Sequence, residues 1–238
     1  TLRLLMHGAL TVLNQADCAL VGGHTAEGAE LGVGFVVNGW LADHMAHATR
    51  KGGLQPTQAL VLTKPLGTGA LWAAHALGQA TGWWLDEALA HMRQSNQQAA
   101  SVLREMGATG CTDVTGFGLL GHALEMAQAS GHAVALWMDQ VPALPGAMAC
   151  LEAGVRSSLQ PANAERRHAM TIDPTLDEAW VQLGFDPQTA GGLLASVPAA
   201  RADACVTALR AAGYVHAAVV GEVRGPSPTQ ALMQVGRR

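Results

Sequence analysis

Charged and aromatic side chains are scarce in this sequence of 238 residues: Lys, Arg, Asp and Glu make up 13% of it, and Phe, Trp and Tyr 4%. The net charge of −4 argues against nucleic acid or an acidic membrane surface as a partner. No apolar run approaches the roughly 18–20 residues that cross a bilayer, and the N-terminus lacks the pattern of a secretion signal. We therefore predict a protein without a membrane segment and without a nucleic-acid partner.

The sequence has four cysteines without a CxxC pair or a metal-ligand spacing: Cys18, Cys111, Cys150 and Cys205. This pattern predicts reduced thiols in a cytoplasmic protein rather than a disulfide framework. His44 and His47 are spaced to share a helix face, but no further metal ligand follows nearby, so we interpret them as ordinary polar residues. The apolar content of 49% is typical of a compact globular protein.

Strand-like and helix-like patterns alternate along the chain. We predict helices at residues 2–12, 70–77, 86–106, 118–130 and 199–212, and strands at residues 18–21, 31–40, 59–63, 133–138, 193–197 and 217–223. Gly131 is placed to end the helix predicted at residues 118–130. The Gly- and Pro-containing link at residues 51–58 is the best candidate domain boundary. Alternating strands and long helices predict an α+β fold with a layered sheet.

Residues 111–122 read Cys-Thr-Asp-Val-Thr-Gly-Phe-Gly-Leu-Leu-Gly-His and lead into a helical pattern. Gly116 and Gly118 therefore lie at a helix N-terminus, where unpaired backbone amides suit phosphate oxygens. Asp113 can approach such phosphates through Mg²⁺, which one or two carboxylates hold together with nucleotide phosphates. The alternative is that Asp113 and Thr115 cap the helix while the glycines permit close packing.

Two other loops are rich in glycine. The loop between the first two predicted strands contains a Gly-Gly pair that can aim its amides at an anion, or can be an ordinary hairpin connection: Gly22, Gly23, His24 and Thr25. The segment 64–69 lies between a predicted strand and a helix, a geometry that suits phosphate, with Lys64 as a possible countercharge. It is not a Walker A loop, because the GxxxxGK[ST] order is absent.

Four segments together resemble selenophosphate synthetase (selenide, water dikinase): residues 20–28, 62–69, 112–122 and 186–193. Each segment alone is a weak pattern, but their order and combination are specific, and the resemblance covers about residues 1–225. It implies an enzyme that makes selenophosphate from selenide and ATP with water, and that releases AMP and orthophosphate. It also implies Mg²⁺, a cytoplasmic homodimer, and selenide and ATP as partners.

The resemblance implies the aminoimidazole ribonucleotide synthetase-like α+β fold, with an N-terminal domain that dimerises through a shared β-barrel and a larger C-terminal domain. We accordingly expect residues 1–50 to be a remnant of the N-terminal, ATP-binding domain, residues 51–225 to be a complete C-terminal domain, and residues 226–238 to be a tail. The family's catalytic Cys or selenocysteine, a nearby Lys and further aspartates are expected upstream of this chain. We therefore expect no catalytic residue here, and an inactive chain by itself.

In the resemblance, Asp113 matches a magnesium-binding aspartate, and residues 22–25 match an ATP-contacting loop contributed across the dimer. We expect Lys64, Thr115 and Gly116 near the phosphates. Two alternatives stay open, namely a sister ATP-dependent enzyme of the same superfamily and a non-catalytic module that binds nucleotide or dimerises.

Overall fold

The structure, a computed structural model, describes residues 1–40, 48–225 and 232–238. His44, His47 and the first part of the predicted tail, residues 226–231, lie outside the described residues. Contacts within the chain define two units, Thr1–Ala42 and Asp43–Arg238. Among the helices that the structure describes, none is long and apolar enough to span a membrane.

The first unit, as far as residue 40, contains one helix, α1 (Leu2–Gln15), as the sequence predicts. The strands predicted at residues 18–21 and 31–40 are wrong, because the chain from residue 18 to residue 40 forms neither helix nor strand. A β-strand is held by hydrogen bonds to a neighbouring strand, and the described part of this unit contains none. The apolar side chains of this stretch are exposed instead, among them Val36 and Val37. The assignment of this unit to a remnant of an N-terminal domain stays a prediction.

The second unit is a mixed α and β structure, which confirms the predicted fold class. Its strands are β1 (Gln58–Leu62), β2 (Gly110–Asp113), β3 (Ala133–Trp137), β4 (Thr171–Ile172), β5 (Leu193–Pro198), β6 (Ala218–Arg224) and β7 (Met233–Gly236). Its α-helices are α2 (Thr68–Ala76), α3 (Gly82–Arg93), α4 (Gln97–Glu105), α5 (Gly118–Ser130), α6 (Ala147–Glu152), α7 (Gln160–Ala164), α8 (Glu178–Phe185) and α9 (Ala202–Ala211).

The described strands form one sheet in the order β2-β5-β1-β6-β3-β7-β4. Neighbouring strands from β2 to β3 are antiparallel, whereas β7 runs parallel to both β3 and β4. Strand β1 is apolar along most of its length because both faces are buried. Leu60 and Leu62 pack into a core with α2, α5, α6 and α8. Ala59 and Val61 point the other way, into a second core with α4 and α9.

The single helix predicted at residues 86–106 is wrong, because α3 and α4 are separate helices with a break at residues 94–96. Distant residues hold the break by hydrogen bonds. The Tyr214 hydroxyl donates to the Ser95 carbonyl oxygen at 2.6 Å, and the Asn96 side chain donates to the Gly191 carbonyl oxygen at 2.9 Å. The Tyr214 hydroxyl also accepts a hydrogen bond from the Ala99 amide at 3.0 Å, so it lies between two backbone groups that would bond to each other in a continuous helix.

The predicted tail is wrong for its described part, because β7 lies between β3 and β4 and pairs Met233 with Val134. Four residues give too short a periodic pattern to be recognised from sequence. The unit boundary at residues 42–43 also precedes the predicted boundary. Arg50 belongs to the sheet-containing unit, since its carbonyl oxygen accepts a hydrogen bond from the Cys111 amide at 3.0 Å.

Candidate functional site

Three of the four segments on which the resemblance rests meet around the buried Gln188 side chain. Its Oε1 atom accepts hydrogen bonds from the backbone amides of Gly67 at 3.0 Å and Thr68 at 3.2 Å, and from the Thr68 hydroxyl at 3.1 Å. The backbone amide of Gln188 donates to the Thr115 carbonyl oxygen at 3.0 Å. Turns that are far apart in sequence are therefore joined at one end of the neighbouring strands β2, β5 and β1.

The side chain of Asp186 lies at the N-terminus of α2. Its Oδ2 atom accepts hydrogen bonds from the Gly69 amide at 3.0 Å and from the Gln188 side chain at 2.9 Å, whereas Oδ1 has no partner in the described structure. Burial raises the pKa of this carboxyl group to about 7, and the hydrogen bonds oppose the shift. The backbone amides of residues 67–69, for which the sequence pattern predicted contact with phosphate, are thus hydrogen-bonded within the chain.

Lys64 follows β1 and is buried. Its Nζ atom donates to the carbonyl oxygens of Gln94 at 2.6 Å and Ala190 at 3.2 Å. Burial lowers the pKa of Lys64 to about 8, because the charged form loses hydration. In this structure the ammonium group joins β1 to the end of α3 and to the loop before β5. Its predicted place beside phosphate stays a prediction.

Asp113 is the last residue of β2, where it lies opposite Leu193 of β5. Its side chain is exposed and accepts no hydrogen bond from the described residues. It borders a cavity of about 480 Å³ that Lys51, Arg104 and Cys111 also line. Burial and the neighbouring Asp113 charge raise the pKa of the Cys111 thiol to about 11, so this thiol is protonated and unsuited to nucleophilic attack at neutral pH.

The arrangement at Asp113 fits magnesium better than a transition metal. Within the described ranges, no group of three or more His, Cys, Asp and Glu side chains is placed to hold a metal ion. Asp113 therefore offers a single unpaired carboxylate. Mg²⁺ suits such a site, because it keeps several waters and completes its coordination with substrate phosphates.

The two glycines of the turn before α5 have different roles. Gly116 is exposed, and a Cβ atom added to it would meet nothing within 4 Å. Gly118 has a φ of +69°, and a Cβ atom there would lie 2.7 Å from the Gly184 carbonyl oxygen. Close packing thus explains Gly118 and leaves Gly116 open to a ligand. Gly116 also borders a second cavity, of about 630 Å³, together with Gly69 and Ala190.

The capping alternative for Asp113 and Thr115 is wrong. The N-cap of α5 is Phe117, and no side chain in the described part of the chain caps the helix. The helix ends as predicted, at Gly131 in the left-handed conformation with a φ of 67°.

A hydrogen-bonded chain of side chains, which we call the Thr115–Lys51 relay, runs beside this turn. The Thr115 hydroxyl lies 3.3 Å from His122 Nε2, His122 Nδ1 lies 3.0 Å from Glu125 Oε2, and Lys51 Nζ lies 2.7 Å from the same oxygen. Burial lowers the pKa of His122, although Glu125 opposes the shift. Burial alone would raise the pKa of Glu125, but Lys51 and His122 hold it below its ordinary value.

Residues 55–230 match the family described as AIR synthase related protein, C-terminal domain.

The chain belongs to the AIR synthase related family.

Curated relatives of the chain are named selenide, water dikinase, which is the family that the sequence resemblance predicts. A selenide, water dikinase of Pelobacter propionicus is 38% identical over 224 residues, which are 93% of this chain and 64% of the relative. A second, from Geobacter metallireducens, is 36% identical over 222 residues, 91% of this chain and 63% of the relative. The resemblance is thus confirmed, and the chain spans less than two thirds of the length of these relatives.

The fold of this AIR synthase related chain is also seen in a crystal structure of the hydrogenase maturation protein HypE in complex with ATP. The TM-score is 0.52, the identity is 18%, and the match covers 80% of this chain and 52% of HypE. At that identity, the similarity concerns the fold alone.

The loop predicted to contact ATP lies in the first unit. Gly22, Gly23, His24 and Thr25 are exposed, and Cβ atoms added to the two glycines would meet nothing within 4 Å. The backbone of this loop is therefore open to a ligand. Its role in binding ATP stays a prediction.

Sequence reasoning missed several residues of the site. The spacing of His122 and Glu125, three residues apart on α5, could have predicted their contact. No local signal predicts Arg166, whose guanidinium carbon lies 4.2 Å from the centre of the Phe117 ring and so places a cation beside the turn. Nor does one predict Asn163, whose side chain donates to the Gly116 carbonyl oxygen at 2.8 Å.

Proposed function

We propose that this chain is part of a selenide, water dikinase, in which it binds magnesium nucleotide while ATP, selenide and water react to give selenophosphate, AMP and orthophosphate. The names of the curated relatives support the reaction. The observation that carries the proposal is the free, exposed carboxylate of Asp113, which precedes the open turn at Gly116 and the N-terminus of α5.

Each part of this turn has a role in the proposal. Asp113 would hold Mg²⁺, which when bound supplies charge neutralisation for the phosphates. The exposed backbone at Gly116 lets phosphate oxygens approach α5, whose dipole favours negative charge at this end. Arg166, stacked on Phe117, adds a positive charge on the same side of the chain as the start of α5.

The proposal extends to the rest of the enzyme. Residues 22–25 would contact ATP across a homodimer, and Lys64, Thr115 and Gly116 would lie near the phosphates. The cytoplasm is the proposed location, because the four cysteines form no disulfide pattern.

Calorimetric titration with Mg-ATP tests the nucleotide site. We expect Asp113→Asn to weaken Mg-ATP binding about tenfold, because one ligand of the metal loses its charge, and to leave the melting temperature nearly unchanged. Asp86→Asn removes another exposed carboxylate, on α3, and should change neither value. Absence of binding by the unsubstituted chain would contradict the proposal. So would a loss of more than about 1–2 kcal/mol in unfolding free energy for Asp113→Asn with unchanged affinity, since Asp113 would then be structural.

Phosphorus NMR tests the acceptor. The complete polypeptide that the gene encodes is incubated with Mg-ATP and selenide enriched in the spin-active selenium isotope. A product resonance split by coupling between phosphorus and selenium supports selenide as the acceptor. Consumption of ATP without such a product would indicate a sister enzyme of the family. Binding without any consumption would indicate a non-catalytic nucleotide-binding module.

A further inference from the structure

The Thr115–Lys51 relay contains a buried histidine that the proposed reaction leaves without a role. His122 is 4% exposed and lies on α5 behind the turn. Its ring is also in contact with the Phe117 ring, with centroids 5.5 Å apart. Glu125 accepts from one ring nitrogen, and the Thr115 hydroxyl faces the other. The ring is therefore held in one orientation by three contacts.

The partners of His122 determine where its proton lies. An ionised carboxylate can only accept hydrogen bonds, so Nδ1 of His122 must carry the proton that bonds to Glu125. The salt bridge of Lys51 to the same Glu125 oxygen keeps this carboxylate ionised. In the neutral ring, Nε2 is then an acceptor, and the Thr115 hydroxyl must donate its proton to it. The Thr115 oxygen can then only accept hydrogen bonds from any other group.

Thr115 and Asp113 face the same side of the chain. Burial alternates from Thr112 to Thr115, with Thr112 and Val114 buried, Asp113 exposed and Thr115 half-buried. The Val114 amide continues the ladder with β5, donating to the Gly192 carbonyl oxygen at 2.8 Å. Alternate residues of an extended chain share a face. The Thr115 side chain thus lies on the face of the chain that carries the Asp113 carboxylate.

We propose that His122, fixed by Glu125, is a positioning residue that turns the Thr115 hydroxyl into an acceptor for a magnesium-bound water beside Asp113. This inference rests on the proposed function, and it refines the predicted place of Thr115. An oxygen that has already donated its proton cannot donate to a phosphate oxygen, but it can accept a hydrogen bond from water polarised by the metal.

The ring protons are tested by nitrogen-15 NMR of the histidines. We expect His122 to carry its proton on Nδ1, and Glu125→Gln to abolish this preference, because a Gln side chain can both donate and accept. A proton on Nε2 in the unsubstituted chain would overturn the proposal, since the Thr115 hydroxyl would then accept from the ring.

Variants of the relay test its effect on the ligand. We expect Thr115→Val and His122→Asn each to weaken Mg-ATP binding about tenfold and to leave the affinity for metal-free ATP unchanged. His122→Asn keeps a donor for Glu125 but has no atom at the Nε2 position, whereas His122→Gln places an amide near that position and should restore affinity. Thr207→Val, at an exposed threonine on α9, controls for loss of a hydroxyl.

The double variant separates positioning from support of the fold. If His122 acts through Thr115, then Thr115→Val combined with His122→Asn binds Mg-ATP as weakly as Thr115→Val alone. If the double variant instead loses affinity by the product of the two single losses, the proposal is overturned. Equal losses of ATP affinity with and without Mg²⁺ would overturn it as well. Failure of the proposed function can be distinguished from failure of the positioning role alone. In the first case the unsubstituted chain does not bind Mg-ATP at all, and the positioning role falls with it. Melting curves of all variants verify that each one is folded.

Discussion

The Thr68 hydroxyl donates a hydrogen bond to the side-chain oxygen of Gln188, 120 residues further along the chain, at 3.1 Å. The same hydroxyl accepts a hydrogen bond from the Thr189 amide at 2.9 Å. The start of α2 and the loop before β5 are therefore joined in both directions. We therefore expect the stability of the start of α2 and that of the loop before β5 to be coupled.

Removal of the Gln188 side chain tests this dependence. We expect Gln188→Ala to lower the free energy of unfolding by about 2–3 kcal/mol, because the buried amides of Gly67 and Thr68 lose their acceptor. Urea unfolding followed by circular dichroism measures the change. Gln98→Ala, at an exposed position of α4, should change the free energy by less than about 0.5 kcal/mol. Equal effects of the two substitutions would contradict the prediction.

Asp186 gives the stability of the fold a pH dependence. Its pKa is raised from 3.8 to about 7 in the folded chain, so between about pH 4 and pH 7 the folded state binds a proton that the unfolded state releases. The free energy of unfolding must therefore fall as pH rises through this window, by at most about 1.4 kcal/mol per pH unit. Asp186→Asn cannot titrate and should lack this contribution.

Urea unfolding of both proteins at a series of pH values measures this contribution. The stability of the unsubstituted chain minus that of Asp186→Asn should become smaller as pH rises from 4 to 7. Asp203→Asn, at an exposed position of α9, should leave the pH profile unchanged. Parallel curves for the unsubstituted chain and Asp186→Asn would show that the carboxyl group titrates alike in both states.

The two glycines of the turn before α5 should respond differently to alanine. We expect Gly118→Ala to lower the free energy of unfolding by about 2–4 kcal/mol, because it combines a left-handed backbone with a contact of 2.7 Å to the Gly184 carbonyl oxygen. Gly116→Ala, two residues away in open space, should cost less than about 1 kcal/mol. Thermal unfolding of the pair measures the difference. A similar loss for both variants would refute the assignment of packing to Gly118 alone.

Elements with a strong local pattern could be predicted from the sequence. The apolar run of β1 and the helical periodicity of α5 with its closing Gly131 are both present as predicted. The break between α3 and α4 could not be predicted, because it depends on Tyr214, which lies far along the chain. The strand pattern of residues 31–40 gave a wrong prediction, because sequence periodicity does not show whether a neighbouring strand is available for hydrogen bonding.

The site shows the same limit. Asp113 is exposed at the end of β2, where a ligand could reach it, and its predicted role in holding magnesium stays a prediction. The sequence could not predict that Lys64 is buried against two carbonyl oxygens. The same holds for Gln188, whose contacts join turns that are more than a hundred residues apart.

The position of β5 in the sheet bears on how the protein is synthesised. Ala195 of β5 lies opposite Val61 of β1 on one side and Cys111 of β2 on the other. The two earlier strands therefore emerge from the ribosome long before the strand that separates them. Until translation has passed Pro198, the edges of both strands that pair with β5 remain unpaired. These edges expose the nascent chain to aggregation and make it a substrate for chaperones, whereas the finished fold covers them.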